Sequence, residues 1–421
     1  MKKPIIGFVG MTHLGLVSGV SASEKGFDVL CFDRDAKKVK LLNELKFPVS
    51  EPQLIEIASK NRNKIHFTSS LIDLMSCDVV YVAPDIPTDD HGKSDLTYVD
   101  DLLGEVYTAT KKTAVIVLLS QVPPGFSRQR VRVDRCLYYQ VETLIFGRAV
   151  ERALHPERYI IGSSDPSTAL NEIYKNFLEA YDCPILVMKY ESAELAKISI
   201  NMCLVASVST ANTLAEICEK IGADWSEIIP ALKLDKRIGE FSYIVPGLGI
   251  AGGNLERDLA TVCNLADEFD TDAGVVKAWI LNSQHRRNWP LGILETEILR
   301  NGVNPTIAIW GLAYKQDTHS VKNSAAIQLI SKLQKYKLTV YDPVVPWSFE
   351  WHSNCVVADN ALEAISDADV LVLMTPWEEF KGINFNLILA NKKLKTIIDP
   401  YCLLNGIHLQ DNRIRYFTLG K

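Results

Sequence analysis

The sequence predicts an α/β protein with two doubly wound parallel-sheet domains joined by a long central helical region. Short apolar runs alternate with amphipathic stretches over the first 130 residues, and the same alternation returns after Pro305. Between about 187 and 285 the apolar residues instead recur at the spacing of an α-helix over long stretches. Strands that alternate with helices imply βαβ units, in which helices cover both faces of a parallel sheet. We therefore expect three domains, at residues 1–186, 187–290 and 291–421.

The elements of the first domain follow one another in order along the chain. Gly26 ends the first predicted helix, as a glycine commonly does. Helices are predicted over 14–26 and 36–46, and strands over 4–10, 27–33, 79–84 and 113–120. In the last domain, apolar runs that end in turn-forming residues predict strands over 306–314, 338–343, 370–375 and 395–400.

Composition excludes several classes of protein. With 47% hydrophobic and 23% charged residues, the chain has the composition of a globular protein and not of a disordered or disulfide-stapled one. The net charge of -6 argues against sequence-independent binding to nucleic acid. No apolar run reaches the roughly 18–20 residues needed to cross a bilayer. Glycines interrupt the apolar start, which we interpret as a first strand and not as a signal peptide.

The nine cysteines are scattered singly, and no two of them have CxxC spacing. This pattern indicates neither a zinc site nor a redox dithiol, so no metal site is expected. We expect a cytoplasmic protein with reduced cysteines and with neither a nucleic-acid nor a membrane partner.

The loop after the first strand consists of Gly10, Met11, Thr12, His13, Leu14 and Gly15. A Rossmann-type dinucleotide fingerprint has G-x-G-x-x-G in this context, with an acid about 20 residues further on. Here Thr12 replaces the middle glycine, and Asp33 ends the second strand. Threonine adds a β-carbon where the backbone should approach the pyrophosphate, although its hydroxyl could donate to a phosphate. The alternative is a plain strand-to-helix turn that binds nothing.

Asp33 favours NAD over NADP, because a carboxylate at this position repels a 2′-phosphate. Arg34 follows it directly and could accommodate such a phosphate. The six loop residues 10–15 and Asp33 are the first part of the candidate cofactor site.

Further stretches with characteristic residues occur in one order along the chain. They are LNELKFPVSEPQLIEI, DDHGKSDLTYVD, SQVPPG, ETLIFGRAVERALHPERYIIG, ESAELAKISIN, DKRIGEF, PGLGIAGGNLERD and GLAYKQDTHSVKNS, after the block GFVGMTHLGLVSGVSASEKGFDVLCFD. Together they resemble the motifs of the UDP-glucose/GDP-mannose dehydrogenase family, and the resemblance covers nearly the whole chain.

This resemblance implies a function and an architecture. Members of the family oxidise the C6 alcohol of a nucleotide sugar to a carboxylate with two NAD+ in succession. The resemblance implies an N-terminal Rossmann-like domain that binds NAD and a C-terminal Rossmann-like domain that binds a nucleotide sugar such as a UDP sugar. It also implies a long central helix through which the protein forms a homodimer.

The resemblance also implies roles for individual residues. Glu142 corresponds to a general base that acts through a water. Lys197 and Asn201, four residues apart and hence on one face of a helix, correspond to the polar pair beside the sugar C6. Asp258 corresponds to an acid near the reacting centre, and Arg257 replaces the lysine before it. On residues alone, the alternative is an exposed lysine and a helix-capping asparagine.

The largest departure from the family concerns the nucleophile. Asn254 stands where the family has a cysteine whose thiolate captures the aldehyde and forms a thioester. An amide nitrogen is not nucleophilic, so it cannot replace the thiolate.

Other positions complete the site that the resemblance implies. Gln121 replaces the threonine of a turn beside the cofactor, and Pro84-Asp85-Ile86-Pro87 replaces Val-Gly-Thr-Pro. Backbone amides of a glycine-rich loop suit a sugar diphosphate. The candidate substrate residues are Arg237, Gly247, Gly249, Gly252, Gly253, Lys315 and Lys322.

Three functions are compatible with these residues. The first is an NAD-dependent nucleotide-sugar dehydrogenase that stops at the aldehyde or oxidises its hydrate without a thiol. The second is a non-catalytic nucleotide-sugar-binding protein, and the third is a ring-carbon oxidation or a redox-neutral step on a related sugar.

Overall fold

The computed structural model of the protein describes residues 3–87, 89, 94–301 and 304–421. It confirms the predicted fold class, because two sheets of largely parallel strands alternate with helices. Part of the predicted DDHGKSDLTYVD motif, at 90–93, lies outside the described residues. The described chain forms two compact units, Met1–Ile200 and Asn201–Lys421. The three-domain division made from the sequence stays a prediction.

The first unit contains an eight-stranded sheet in the order β3-β2-β1-β4-β5-β6-β7-β8. Its strands are β1 Ile5–Val9, β2 Asp28–Phe32, β3 Ile65–Thr68, β4 Val79–Val82, β5 Val115–Leu118, β6 Cys136–Gln140, β7 Tyr159–Ser163 and β8 Ile185–Lys189. Its helices are α1 His13–Glu24, α2 Ala36–Asn43, α3 Leu54–Lys60, α4 Thr97–Ala109, α5 Ala149–Leu154 and α6 Glu172–Glu179. All neighbouring strands are parallel except β6 and β7.

The helix α7 Tyr190–Ile221 follows, and it ends in the second unit. This helix is long and apolar enough to cross a membrane, but the buried core helix of a protein outside the membrane meets the same criteria of length and composition. Its first two turns carry Glu191, Glu194 and Lys197, all of which are hydrogen-bonded or ion-paired.

The second unit contains a six-stranded parallel sheet in the order β11-β10-β9-β12-β13-β14. Its strands are β9 Thr306–Trp310, β10 Lys337–Tyr341, β11 Cys355–Val357, β12 Val370–Leu373, β13 Thr396–Ile398 and β14 Arg415–Phe417. Its helices are α8 Trp225–Leu234, α9 Asn254–Glu268, α10 Gly274–Arg287, α11 Trp289–Glu297, α12 Ala325–Lys332, α13 Ala361–Ile365, α14 Glu378–Lys381, α15 Phe385–Leu389 and α16 Ile407–Gln410.

The two sheets repeat one local design at the end of their first strand. The amide of Gly10 donates to Phe32 O at 2.9 Å, and in the second unit the amide of Gly311 donates to Tyr341 O at 2.8 Å. Both glycines have φ near +93°. A β-carbon on Gly10 would lie 2.9 Å from the backbone nitrogen of Pro84, so only glycine fits there. Each unit thus builds its first strand-to-helix loop on a tight glycine turn.

The core of each unit consists of the buried apolar strands and the helix faces that cover them. Four strands of the first unit, β1, β2, β4 and β5, are buried along almost their whole length, as expected for a sheet covered on both faces. In the second unit Trp310, fully buried at the end of β9, packs against Phe380 with ring centroids 5.0 Å apart. The loops at the carboxyl ends of the first sheet carry part of the candidate site, namely residues 10–15, Asp33, Gln121 and Glu142.

Candidate functional site

The loop between β1 and α1, residues 10–15, is a tight turn that begins and ends with a glycine. Gly15 packs so closely that an added β-carbon would lie 2.1 Å from Gly10 O, which is the close helix–strand approach that the last glycine of the fingerprint permits. Thr12 precedes α1 with φ -93°, a backbone conformation that does not require glycine. Replacement of the middle glycine therefore leaves the loop backbone unstrained.

Asp33 lies at the carboxyl end of β2, where a ribose-binding acid is expected. It is buried, and its Oδ2 accepts a hydrogen bond from the amide of Met11 at 2.9 Å. The same oxygen lies 2.8 Å from the ammonium group of Lys38, which is partly exposed. The carboxylate is thus fixed against the loop between β1 and α1, residues 10–15, which we call the nucleotide loop. Lys38 partly balances its charge.

Thr12 and Asp85 contact each other directly. The Asp85 amide donates to Thr12 Oγ1 at 2.9 Å, and the Asp85 carboxylate accepts from the amide of His13 at 3.1 Å. The Thr12 hydroxyl also lies 3.5 Å from Ala83 O. The hydroxyl that we considered as a donor to phosphate is therefore directed towards the loop after β4.

The side chain of His13 lies inside the unit and not at its surface. Its Nε2 is 2.8 Å from Glu51 Oε1, and its ring packs on Phe146 with centroids 4.2 Å apart. Glu51 is buried and also accepts from the amides of Gly147 and Ala149, each at 3.1 Å. Glu51 thereby connects the nucleotide loop with the segment that carries Glu142.

Glu142 and Lys197 form an ion pair in the first unit. Glu142 Oε2 lies 3.4 Å from Lys197 Nζ, and the two side chains are 18% and 15% exposed. The amide of Leu144 donates to the other carboxylate oxygen, which fixes the glutamate rotamer. The structure thus brings together two of the predicted catalytic residues, which come from the loop after β6 and from α7.

Gln121 follows β5 and is half-buried. The residue before it, Ser120, donates to Pro84 O at 2.5 Å and so joins the loops after β4 and β5. Gln121 therefore lies in a loop that is tied to the carboxyl end of the sheet.

Asn201 and Asp258 form a second polar pair, in the second unit. The Asn201 amide donates to Asp258 Oδ2 at 2.5 Å, and Arg257 Nε lies 3.3 Å from Asp258 Oδ1. All three residues are buried. Burial of a carboxylate is tolerated when hydrogen bonds and an opposite charge compensate it, as they do here.

Asn254 is the first residue of α9, and its side chain is exposed. Gly253 before it has φ +91°. Cys263 lies further along α9, and burial raises the pKa of its thiol. The raised pKa disfavours the thiolate, so Cys263 has the character of a packing residue and not of an activated nucleophile.

The glycine-rich loop before α9 is fixed within the second unit. The Gly247 amide donates to Asn212 Oδ1 at 2.8 Å, and Gly249 lies against Ser283 so closely that a β-carbon would meet its carbonyl oxygen at 2.4 Å. A β-carbon on Gly252 would overlap the ring of Tyr314, and one on Gly253 would touch the Lys322 side chain. The loop therefore packs against the segment after β9.

The predicted cationic substrate residues have different surroundings. Lys322 contacts the glycine-rich loop, whereas Lys315 lies with its Nζ 5.8 Å from the centroid of the Tyr314 ring. Arg237 is 88% exposed and forms an ion pair with Asp235 at 2.6 Å. Within the second unit, the loop glycines and Lys322 are brought together, and Arg237 extends into solvent.

Sequence reasoning missed the roles of Asp85 and Glu51. The substitution at 85 was visible as a departure from the family motif, but its contact with Thr12 depends on two loops that are 73 residues apart. The contact of Glu51 with the loop at 147–149 joins segments nearly 100 residues apart, and no local pattern predicts such a pairing.

Three consecutive parts of the chain match one protein family. Residues 4–178 match the NAD binding domain of the UDP-glucose/GDP-mannose dehydrogenase family, residues 191–284 its central domain and residues 308–406 its UDP binding domain. The chain belongs to this family. The resemblance inferred from the motifs is therefore confirmed.

Curated relatives match the chain over its full length. The UDP-glucose 6-dehydrogenase of Rickettsia typhi is 29% identical over 99% of both chains. UDP-glucose 6-dehydrogenase TuaD of Bacillus subtilis is 28% identical, over 100% of this chain and 94% of its own.

Solved structures have the same fold. A UDP-D-ManNAc dehydrogenase from Pyrococcus horikoshii superposes with a TM-score of 0.84 at 21% identity, covering 99% of both chains. A UDP-glucose dehydrogenase from Pyrobaculum islandicum gives a TM-score of 0.81 at 22% identity over 94% of both chains.

The protein is thus a member of a nucleotide-sugar dehydrogenase family, and its cofactor is NAD. The first unit fits this cofactor in two respects. Neither Gly10 nor Gly15 has room for a β-carbon, as a closely approached nucleotide loop requires, and Asp33 lies at the end of β2.

Proposed function

We propose that this protein is an NAD-dependent dehydrogenase that acts on a CH–OH group of a nucleotide sugar, as a UDP-glucose 6-dehydrogenase does. The observation that carries the proposal is the partly buried ion pair of Glu142 and Lys197. Oxidation of an alcohol removes a hydride and a proton, and bound NAD supplies the hydride acceptor. Residues of the chain must accept the hydroxyl proton and stabilise the negative charge on the alcohol oxygen.

Glu142 is the proposed acceptor of the hydroxyl proton, directly or through a water. Its carboxylate is held by the amide of Leu144, so its position is defined before substrate binds. Lys197 lies next to it and can stabilise the negative charge that develops on the alcohol oxygen. The ion pair holds the proposed base and the cation close to the same oxygen.

Asn201 and Asp258 have a supporting role in the proposal. Asn201 orients a water or an oxyanion, and the hydrogen bond from its amide to Asp258 fixes which way that amide points. The loop glycines from Gly247 to Gly253, together with Lys315 and Lys322, are the proposed contacts of the sugar diphosphate.

Asn254 alters the chemistry that we propose. No covalent capture of the aldehyde is available at the amide, so the product of the first oxidation is an aldehyde or its hydrate. A hydrated aldehyde is itself an alcohol, and its oxidation to the acid again removes one hydride and one proton. The second oxidation therefore requires water activation in place of a thiolate.

The second candidate is a nucleotide-sugar-binding protein without redox activity. Two observations favour it: Asn254 in place of the nucleophile and Asp85 on the amide of His13, where a phosphate of the cofactor is expected.

Absorbance at 340 nm, recorded with NAD+ and a panel of nucleotide sugars, separates these candidates. NADH formation with an aldehyde or acid product by mass spectrometry supports the dehydrogenase. Sugar binding by calorimetry without any NADH supports the binding protein. A keto sugar, or a changed sugar without net NADH, supports a ring-carbon oxidation or a redox-neutral step.

We also propose a homodimer in the cytoplasm. The helices of the second unit expose large apolar side chains, including Leu214, Ile217 and Ile221 of α7 and Leu281 of α10. Apolar exposure of this extent is typical of an interface. Light scattering at micromolar concentration should give twice the chain mass, and a value near 47 kDa would contradict the dimer. The free cysteines agree with a reducing compartment.

A further inference from the structure

We propose that Asp85 is an internal anion that occupies the pyrophosphate position of the dinucleotide site and thereby limits the affinity of this protein for NAD. The inference deepens the proposed function and rests on it. It concerns only residues of the first unit.

The position of the Asp85 carboxylate is the first argument. Helix α1 begins at His13, and the free amides of a first helical turn are where a Rossmann-type loop binds the pyrophosphate. Asp85 Oδ2 accepts the hydrogen bond of the His13 amide at 3.1 Å. A phosphate oxygen requires the same N–H group, so the two anions compete for one donor.

The second argument is that the carboxylate is held in place by a matched substitution. Thr12 stands where the fingerprint has glycine, and Asp85 stands where the family motif Val-Gly-Thr-Pro also has glycine. These two departures meet, because the Asp85 amide donates to Thr12 Oγ1 at 2.9 Å. The threonine thus anchors the backbone that directs the carboxylate to the helix terminus.

The third argument concerns charge. Loss of hydration raises the pKa of the Asp85 carboxyl, whereas the charge of His13 and the hydrogen bonds from Thr12 and the His13 amide lower it, and Glu142 raises it further. Asp85 as a whole is solvent-exposed, so water partly compensates for this loss of hydration, and the carboxylate is free to move away from the helix. A pyrophosphate bound at the His13 amide adds negative charge next to the Asp85 carboxylate, and the two negative charges repel each other. Binding of NAD thus requires the carboxylate to leave the His13 amide.

The test is binding of NADH and of ADP-ribose to the purified full chain, followed by fluorescence for NADH and by calorimetry for both. ADP-ribose carries the pyrophosphate without the nicotinamide. The variants are Asp85→Ala, Asp85→Asn and the control Asp28→Ala. Asp28 is an exposed acid at the amino end of β2, so the control makes the same change in net charge at the opposite edge of the sheet.

We expect Asp85→Ala to bind both ligands about tenfold more tightly than the parent, on the scale of an anion at a helix N-terminus. Asp85→Asn should gain less, since its amide oxygen can still accept from the His13 amide, and Asp28→Ala should not change affinity. Binding by Asp85→Ala but not by the parent would also support the proposal. If the parent binds NADH and Asp85→Ala binds equally or more weakly, the proposal is wrong while the dehydrogenase function stands. If neither binds either ligand, the proposed function fails, and this proposal with it.

Discussion

The Nε2 atom of His13 lies 2.8 Å from Oε1 of Glu51, and both side chains are buried. Glu51 also accepts from the amides of Gly147 and Ala149. One carboxylate therefore connects the first residue of α1 with the segment between Glu142 and α5. We therefore expect the position of Glu142, the proposed base, to depend on the loop between β1 and α1.

We predict that Glu51→Gln lowers both stability and activity. A carboxamide has one acceptor oxygen for three donors, so at least one buried partner loses its hydrogen bond, at a cost of about 1–3 kcal/mol. Thermal unfolding should shift by several degrees, and kcat should fall more than KM rises. Glu56→Gln, at an exposed position of α3, is the control and should be close to the parent. Parental stability in Glu51→Gln would show that the connection has no structural importance.

We predict that Glu142→Gln lowers kcat by about 10²–10⁴-fold, the usual contribution of a general base. The amide retains the shape of the side chain but cannot accept the hydroxyl proton. Glu151→Gln, at an exposed position of α5, removes the same charge at the surface and should retain activity. Steady-state kinetics with the sugar identified by the panel is the measurement. Equal kcat in the parent and Glu142→Gln would remove this residue from the mechanism.

We predict opposite pH dependences for two acids of α7. Glu194 is buried and accepts from the amides of Gly125 and Ser127, and burial raises its pKa. Its folded state holds the proton more tightly than the unfolded state does. The stability that it contributes is therefore present below the ordinary carboxyl pKa and is lost as pH rises through the raised pKa.

Glu191, three residues earlier, has a lowered pKa because of its hydrogen bonds with Arg128. Its contribution is present above the ordinary pKa and is lost as pH falls. Melting temperatures from pH 4 to 8 should show Glu194→Gln gaining on the parent as pH rises. The melting temperature of the control Glu191→Gln should instead fall slightly relative to the parent's as pH rises. The effect is small because the ion pair of Glu191 is exposed. Parallel curves for Glu194→Gln and the parent would contradict the raised pKa.

The sequence predicted the strands that are buried on both faces, because their apolar runs are continuous. Predicted strands such as 79–84 and 370–375 contain β4 and β12. The strands β6 and β7 were not predicted, because their apolar runs are short and end in polar residues. Their antiparallel pairing depends on the path of the chain through 141–158, for which no local pattern is known.

The candidate site was predictable where a motif is local. The glycine turn at 10–15 and the helix at 190–221 each occupy one continuous stretch. The partners of Thr12 and His13 were not predictable, because Asp85 and Glu51 come from other loops. A short polar side chain has many possible partners in a sequence, and the fold decides between them.

The last prediction concerns Asn254, and its first part is about the parent. Formation of a thioester requires a thiolate, and the residue at this position carries an amide. Without covalent capture the aldehyde can leave between the two oxidations. Incubation of the parent with NAD+ and its sugar should therefore release an aldehyde that a hydrazine reagent traps. If the parent converts the sugar completely to the acid, with two NADH formed per sugar and no aldehyde trapped, this prediction is wrong.

The second part is that Asn254→Cys, alone or with Arg257→Lys, should increase the yield of acid. Position 254 is exposed and begins α9, and a cysteine at a helix N-terminus has a lowered pKa, so that more of it is thiolate at neutral pH. Such a thiolate can attack the aldehyde, and after the second hydride is removed the adduct is a thioester that water hydrolyses. Intact-protein mass spectrometry after rapid acid quenching should detect this adduct in Asn254→Cys and not in the control Asn254→Ala. If neither the adduct nor additional acid forms while the aldehyde is still produced, then position 254 does not reach the reacting carbon, and Asn254 has no part in the chemistry.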